Sequence, residues 1–266
     1  MQEFGKSVAA GVVANLLPVV LTIGVAYVVY LVLHRGALYD FWGLRPVRKI
    51  RIYISHLRVV TGHPQCPEGR IGGAVGPDGT LRSYEGSVVT LLETETANLL
   101  RGLFFASLPG RAIQPAWLKS LLLTNADAGI LPSPVDETHP DPEGTVVALG
   151  SPGYNNVSRE IENSCRSPIR FVNDNAATAI ELPGGFRINS GRQGVVVRLR
   201  CLDRYWFYAA GMSEHGTAAA AYYLATSWRR LHKRYKKTPS FFVVVEFPGT
   251  DFRSCRVISE GALYES

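Results

Sequence analysis

Residues 145–164 have the sequence TVVALGSPGYNNVSREIENS, and residues 205–235 have the sequence YWFYAAGMSEHGTAAAAYYLATSWRRLHKRY. Each stretch begins with a short apolar run, continues through a turn with two glycines, and ends in a segment typical of a helix. The second helix contains strong helix formers and has a basic carboxyl end. A repeated order of strand, turn and helix predicts an α/β fold with parallel strands.

Other apolar runs extend this pattern along the chain. They predict strands at residues 49–57, 128–132, 169–172 and 241–247, and a helix at residues 86–105. Residues 179–189 and 194–202 predict a hairpin. The expected fold class is therefore α/β, with a Rossmann-like, mostly parallel open sheet that carries an antiparallel edge hairpin.

The two glycine-containing turns are the candidate ligand site. Neighbouring parallel strands end at the same edge of a sheet, and the first N–H groups of a helix attract anions, so the turns predict a crevice for a nucleotide-type, anionic ligand. The candidate ligand-binding residues are Gly150, Ser151, Gly153, Tyr154 and Asn155 in the first turn, and Ser213, Glu214, His215, Gly216 and Thr217 in the second.

A structural interpretation of the same turns stays open. The first turn matches neither a dinucleotide fingerprint nor a Walker loop, and both turns can simply connect a strand to a capped helix. The second is one residue too long for a serine-hydrolase elbow, and no histidine follows Asp251. Glu214 and Glu85 are candidate acid/base groups, but carboxylates near helix starts also stabilise the helix dipole.

The amino-terminal part of the chain has a different character. Residues 7–33 contain no charged side chain, and about 27 residues of helix at about 1.5 Å each exceed the roughly 30 Å of a bilayer core. We therefore expect one uncleaved transmembrane helix. Basic residues are more frequent after it than before it, which predicts an inner-membrane, single-pass protein with a cytoplasmic carboxyl terminus. The predicted organisation is an anchor at 1–35, a juxtamembrane linker at 36–48 and a ligand-binding domain at 49–266.

Small and polar residues recur on one stripe of this helix. Gly11, Asn15, Pro18 and Thr22 follow one another at helical spacing. Such a stripe, with an amide in hydrocarbon, predicts self-association, so a homo-oligomer is expected. Alternatively, Asn15 lies shallow in the bilayer and the spacing has no function.

Composition narrows the remaining function classes. Lys and Arg total 28 against 22 Asp and Glu. The four isolated cysteines form no C-x-x-C pair, so we expect reduced thiols, with two disulfides as the open alternative, and no metal site. No cofactor is expected. The densest basic run, residues 229–237, neutralises a helix end or contacts anionic lipid. Nucleic acid is not expected as a partner, because no nucleic-acid-binding motif accompanies the run.

The order of these parts resembles the membrane-anchored effectors of bacterial nucleotide-signalled defence. The resemblance lies in the apolar span at 7–33, GSPGYN at 150–155 and GMSEHGT at 211–217. It implies a nucleotide sensor whose ligand drives assembly and disturbs the membrane. A ligand-gated effector or receptor is therefore the first hypothesis. The others are a membrane-tethered nucleotide enzyme using Glu214 and a structural membrane protein without a ligand.

Overall fold

Alternating apolar strands and amphipathic helices build the main sheet and its two covering layers. The computed structural model describes residues 2–45, 49–55, 57–59, 86–88, 90–104, 126–133, 140, 143–164, 168–174, 177–201 and 204–263. Its helices are α1 (Gln2–Trp42), α2 (Leu91–Gly102), α3 (Asn156–Ser164) and α4 (Glu214–Arg234), with a 3-10 turn at Phe252–Ser254.

The strands fall into three sheets. They are β1 (Lys49–Ser55), β2 (Leu57–Val59), β3 (Gly86–Val88), β4 (Asp127–Ser133), β5 (Thr145–Leu149), β6 (Arg170–Asp174), β7 (Ala177–Glu181), β8 (Arg187–Ile188), β9 (Gln193–Cys201), β10 (Arg204–Gly211), β11 (Ser240–Glu246) and β12 (Arg256–Leu263). Strands β2 and β3 form a two-stranded sheet, and β6, β7 and β8 form a three-stranded one.

The main sheet has seven strands in the order β12-β11-β9-β10-β5-β1-β4. Strands β10, β5, β1 and β4 pair in parallel, and β11 has the same direction because both it and β10 are antiparallel to β9. Strand β12 is antiparallel at the edge. The expectation of a mixed α/β fold with a mostly parallel sheet is confirmed.

Helices cover both faces of the main sheet. Strand β5 shows the division, because Val147 and Leu149 join one buried cluster and Val146 and Ala148 join the other. The first cluster contains α2, α4 and the end of α1, and the second contains α3 and the small β6–β8 sheet. Helices α2 and α3 therefore lie on opposite faces although they follow the neighbouring strands β1 and β5.

Two sequence-based expectations are corrected here. Residues 179–189 do not pair with 194–202; β9 instead lies inside the main sheet between β10 and β11, while β7 and β8 belong to the small sheet. The edge hairpin is formed by β11 and β12. The helix expected at 86–105 begins only at Leu91, because Gly86–Val88 pairs as β3. Local patterns detect strands but not their distant partners.

Helix α1 is continuous from Gln2 to Trp42 and contains Pro18. Thr22 Oγ1 donates to the carbonyl oxygen of Pro18 at 2.8 Å, so this hydroxyl has a partner within its own helix. Gly11 and Asn15 lie in α1, but their side chains are outside the described part of the chain. Among the described residues, no helix is both long enough and apolar enough to cross a membrane. The transmembrane helix stays a prediction.

The end of α1 is part of the core of the domain. Leu38, Phe41, Trp42 and Leu44 are all buried, and the Phe41 and Trp42 rings pack against Phe207 of β10. Thr145 Oγ1 also donates to the carbonyl oxygen of Trp42 at 2.7 Å. Within the stretch expected to be a juxtamembrane linker, these four buried side chains therefore contribute to the core beside β10.

Candidate functional site

The candidate site lies at the carboxyl ends of β1 and β5. Helix α2, which follows β1 after the short strands β2 and β3, packs on one face of the sheet, and α3, which directly follows the turn after β5, packs on the other. Helices on opposite faces beside neighbouring parallel strands mark the edge where an open α/β sheet usually binds its ligand. Ser55 ends β1, and Gly150 directly follows β5. Glu93, in the first turn of α2, lies between them.

The Glu93 carboxylate is the central group of this site. Its Oε2 accepts a hydrogen bond from the backbone N–H of Ser55 at 2.8 Å, although the side chain is only 4% exposed. Thr90 caps α2 by accepting from the N–H of Glu93. Thr90-Leu91-Leu92-Glu93 has the spacing of a capping box, but the glutamate carboxylate reaches across to β1.

Burial raises the pKa of Glu93 to about 7, against 4.5 for a free carboxyl. The hydrogen bonds from Ser55 lower this pKa and the charge of Glu214 raises it, but both effects are smaller than desolvation. Near neutral pH the carboxyl is therefore divided between its protonated and ionised forms. Its protonated form can donate a hydrogen bond and its ionised form can only accept one.

Gly150 brings the β5 turn against these groups. Its φ is +101°, in the region that glycine adopts without strain. A Cβ at this position would lie 1.9 Å from Ser55 Oγ and 3.1 Å from Glu93 Oε1. Only glycine allows this close approach, so Gly150 lies in contact with Ser55 and near Glu93.

The rest of the first turn divides into an internal and an exposed part. Asn155 is fully buried; its Nδ2 donates to the carbonyl oxygens of Tyr53 and Leu149, and its Oδ1 accepts from the N–H groups of Val157 and Ser158. Its amide is thus used within the protein. Tyr154 is exposed, Ser151 is half-buried, and Gly153 has open space around it.

The second turn is packed tightly against the sheet. Ser213 caps α4 by accepting from the N–H of Gly216 and donates to the carbonyl oxygen of Gly191. Thr217 is buried, and its Oγ1 accepts from the N–H of Gly211 at 3.1 Å. Their hydroxyls thus hold the turn together.

Glu214 and His215 are the exposed side chains of this turn. Glu214 Oε1 accepts from the backbone N–H of Leu92 at 3.2 Å. Because Leu92 directly precedes Glu93, the Glu214 carboxylate lies at the amino end of α2, beside Glu93. The His215 ring stacks on Phe247 with 6.4 Å between ring centroids. Glu214 is therefore the residue of the second turn that the structure brings to the site around Glu93.

The two glycines singled out in the sequence differ in their surroundings. A Cβ on Gly216 would lie 2.4 Å from the carbonyl oxygen of Gln193, whereas a Cβ on Gly153 would have only Ser151 Oγ near it, at 3.9 Å. We expect Gly216→Ala to lower the free energy of unfolding by about 3 kcal/mol, because the obstacle is rigid backbone. Its matched control, Gly153→Ala, should change it by no more than about 0.5 kcal/mol. Denaturant unfolding of the full chain measures both, and equal losses would contradict this assignment.

Sequence reasoning missed Ser55 and did not select Glu93 for the site. The available signal was the capping-box spacing from Thr90 to Glu93, which marks a helix start but does not show what the glutamate contacts. Glu85, Cys66 and Cys165 lie outside the described residues. Cys201 and Cys255 are free thiols. Among the described residues, no cluster of His, Cys, Asp or Glu has the arrangement of a metal site.

Comparison of the chain with protein-family models, with curated proteins and with solved structures gave no match.

Proposed function

We propose that the chain is a membrane-tethered receptor whose α/β domain binds a nucleotide-type ligand at the carboxyl edge of β1 and β5. Ligand occupancy is coupled to self-association through α1 and to disturbance of the membrane. The observation that carries this proposal is the meeting of Ser55, Glu93 and Gly150 at the point where α2 and α3 diverge to opposite faces.

The polar groups of the edge suit the two parts of a nucleotide. Carboxylates at the edge of an α/β sheet accept hydrogen bonds from ribose hydroxyls, and Glu214 supplies an exposed carboxylate beside the buried Glu93. A phosphate suits the start of α3, because helix amino ends attract anions and Gly153 leaves room for close approach. Tyr154, exposed beside it, offers an aromatic face for a base.

The tether is supported by the surface of α1. Eight large apolar side chains of this helix are between 49% and 69% exposed in the isolated chain: Leu16, Val19, Val20, Leu21, Ile23, Val25, Val29 and Leu33. An apolar surface this long, on the part of the helix at 7–33 that carries no charge, is suited to a nonpolar environment. The bilayer supplies this nonpolar environment, and the domain lies on the cytoplasmic side of the inner membrane.

Helix α4 provides a physical connection between the ligand site and the tether. It begins at Glu214, beside the amino end of α2, and about 30 Å later ends near α1. At that end Trp228 lies 5.3 Å from the ring of His34, and Arg229 contacts the same histidine. A ligand that displaces the Glu214 carboxylate from Leu92 thereby acts on the helix that supports α1.

Native mass spectrometry of the full chain, purified in mild detergent from its own cells, tests the ligand proposal. We expect a nucleotide-sized molecule to accompany the folded protein and to be released by heat. A chain that carries no such molecule, and whose melting temperature is unchanged by a panel of mono- and dinucleotides, would exclude the receptor function.

Glu214→Gln tests the role of the exposed carboxylate. The amide oxygen can still accept from Leu92, so the fold is retained while the negative charge is removed. We expect the affinity for the copurified nucleotide to fall about tenfold or more, because a ribose hydroxyl bonds a charged acceptor more strongly than a neutral one. Glu95→Gln, on the exposed face of α2, is the matched control. Calorimetric titration that gives equal affinities for both variants would remove Glu214 from the site.

A nucleotide-processing enzyme is the second candidate, and the raised pKa of Glu93 favours it. A carboxyl with a pKa of about 7 beside an exposed carboxylate is suited to general acid/base catalysis at neutral pH. In that case Glu214→Gln should retain binding and lose about a hundredfold in turnover. Chromatography of the nucleotide after incubation with wild type distinguishes the candidates, since a receptor releases it unchanged.

A further inference from the structure

The carboxyl end of α4 carries a dense basic surface. Six cationic side chains are exposed there, and we call them the basic surface: Arg229, Arg230, Lys233, Arg234, Lys236 and Lys237. Arg230 and Arg234 share the carboxylate of Glu260, which neutralises one of the six charges. Among the residues that the structure describes, no carboxylate pairs with the three lysines. The surface therefore keeps a strong positive charge.

The basic surface lies beside the end of the apolar part of α1. Arg229 contacts His34, the first residue after Leu33, at 2.9 Å. Farther along both helices, the Phe41 ring lies edge-on to His232, with 6.3 Å between ring centroids. From Arg229 to Lys233 the chain advances about 6 Å, which is within the Debye length of about 8 Å at physiological ionic strength, and to Lys237 it advances about 12 Å. The near part of the basic surface thus lies within electrostatic reach of the end of the apolar stretch, and screening weakens the attraction at its far part without abolishing it.

Buried Arg198 of β9 supplies a positive charge at the end of α4 independently of the basic surface. Its guanidinium donates to the carbonyl oxygen of Tyr235, which caps the helix, and to those of Thr238 and Pro239 just beyond it. Lys236 and Lys237 follow the last helical residue and are exposed. Their charges are therefore available to a partner outside the domain.

We propose that the basic surface docks on anionic lipid headgroups of the membrane that holds α1. Anionic headgroups complement the positive charge of this surface. The apolar part of α1 also ends beside it, so a domain tethered by α1 meets headgroups at this position. Each basic residue near an anionic bilayer strengthens attachment about fivefold. Docking holds the domain against the membrane and orients α4 relative to α1. This inference rests on the membrane tether of the proposed function but not on the nucleotide ligand.

The test uses the full chain reconstituted into vesicles of phosphatidylcholine alone or with about 30% phosphatidylserine, an anionic fraction chosen for a surface potential of tens of millivolts. Acetylation of Lys233, Lys236 and Lys237 is followed by mass spectrometry at low and at high salt. We expect acetylation to be at least about fivefold slower on the anionic vesicles, and the protection to disappear in about 1 M salt, where the Debye length is about 3 Å.

Charge variants give the matched comparison. Lys236→Gln together with Lys237→Gln should reduce the protection of Lys233 at least about threefold, because two attracting charges are lost. Arg187→Gln together with Arg192→Gln makes the same charge change on exposed residues outside the basic surface and should leave this protection unchanged. Thermal unfolding confirms that both double variants fold.

The outcomes separate the tether from the docking. A chain that does not float with neutral vesicles refutes the tether, and with it this inference. A chain that floats but is acetylated equally on both vesicle types refutes docking alone. Protection by added RNA on neutral vesicles, without protection by phosphatidylserine, also refutes docking and assigns the surface to nucleic acid.

Discussion

Trp42→Ala is expected to lower the free energy of unfolding by about 3–5 kcal/mol, a large part of the roughly 5–15 kcal/mol that keeps an ordinary domain folded. Trp42 is completely buried, and its ring lies 4.4 Å from that of Phe207 and 5.4 Å from that of Phe104. Truncation leaves a cavity beneath β10 that the neighbouring rings cannot fill. Denaturant unfolding of the full chain in detergent, followed by far-ultraviolet circular dichroism, measures the loss.

Two further variants show whether this loss comes from packing. Trp42→Phe retains most of the aromatic contact and removes an indole N–H that is buried without a hydrogen-bond partner among the described residues, so it should cost much less than alanine. Phe186→Ala removes a ring that is 42% exposed and should cost less than about 1 kcal/mol. If Trp42→Ala were no more harmful than Phe186→Ala, the end of α1 would not belong to the core.

Glu93→Gln is expected to raise the free energy of unfolding at pH 8 by about 2–3 kcal/mol. It should also make this free energy less dependent on pH between pH 4.5 and 7. The folded pKa of about 7 lies above the ordinary 4.5, so the folded state binds more protons than the unfolded state in this window. The contribution of this carboxyl to the free energy of unfolding is therefore fully present below pH 4.5 and is lost as the pH rises through 7. Glutamine keeps the acceptor for Ser55 but carries no charge. Urea unfolding of wild type and variant across this pH range measures both effects.

Glu162 is the matched control for this prediction. Burial raises its pKa to about 7 as well, and its carboxylate accepts hydrogen bonds from Tyr208 Oη and the N–H of Phe171. It lies on α3 in the opposite layer, away from Glu93. Glu162→Gln should remove a similar part of the pH dependence without affecting nucleotide affinity. A stability curve for Glu93→Gln that has the same slope as wild type would show that the Glu93 carboxyl is ionised throughout.

The candidate site was only partly predictable from the sequence. Glycine turns after apolar strands are local signals, and they correctly indicated two strand-to-helix junctions, at Gly150 and Gly211. The contribution of Glu93 was not local, because its carboxylate meets Ser55 only when α2 packs against β1. Asn155 illustrates the converse. Its position suggested a ligand contact, but tertiary packing places its amide among the carbonyl oxygens of two strands.

The sequence by itself determined the alternation of strands and helices, the mostly parallel direction of the main sheet, and the helical character of the apolar stretch that precedes it. These features follow from hydrophobic periodicity and from the glycine-containing turns between elements, and both signals extend over only a few residues. Only the tertiary structure decided that β9 lies inside the sheet, that Trp42 belongs to the core, and that Glu93 meets Ser55 beside Gly150. Each of these depends on contacts between residues far apart in the chain, and their free energy is gained only when the whole sheet has formed.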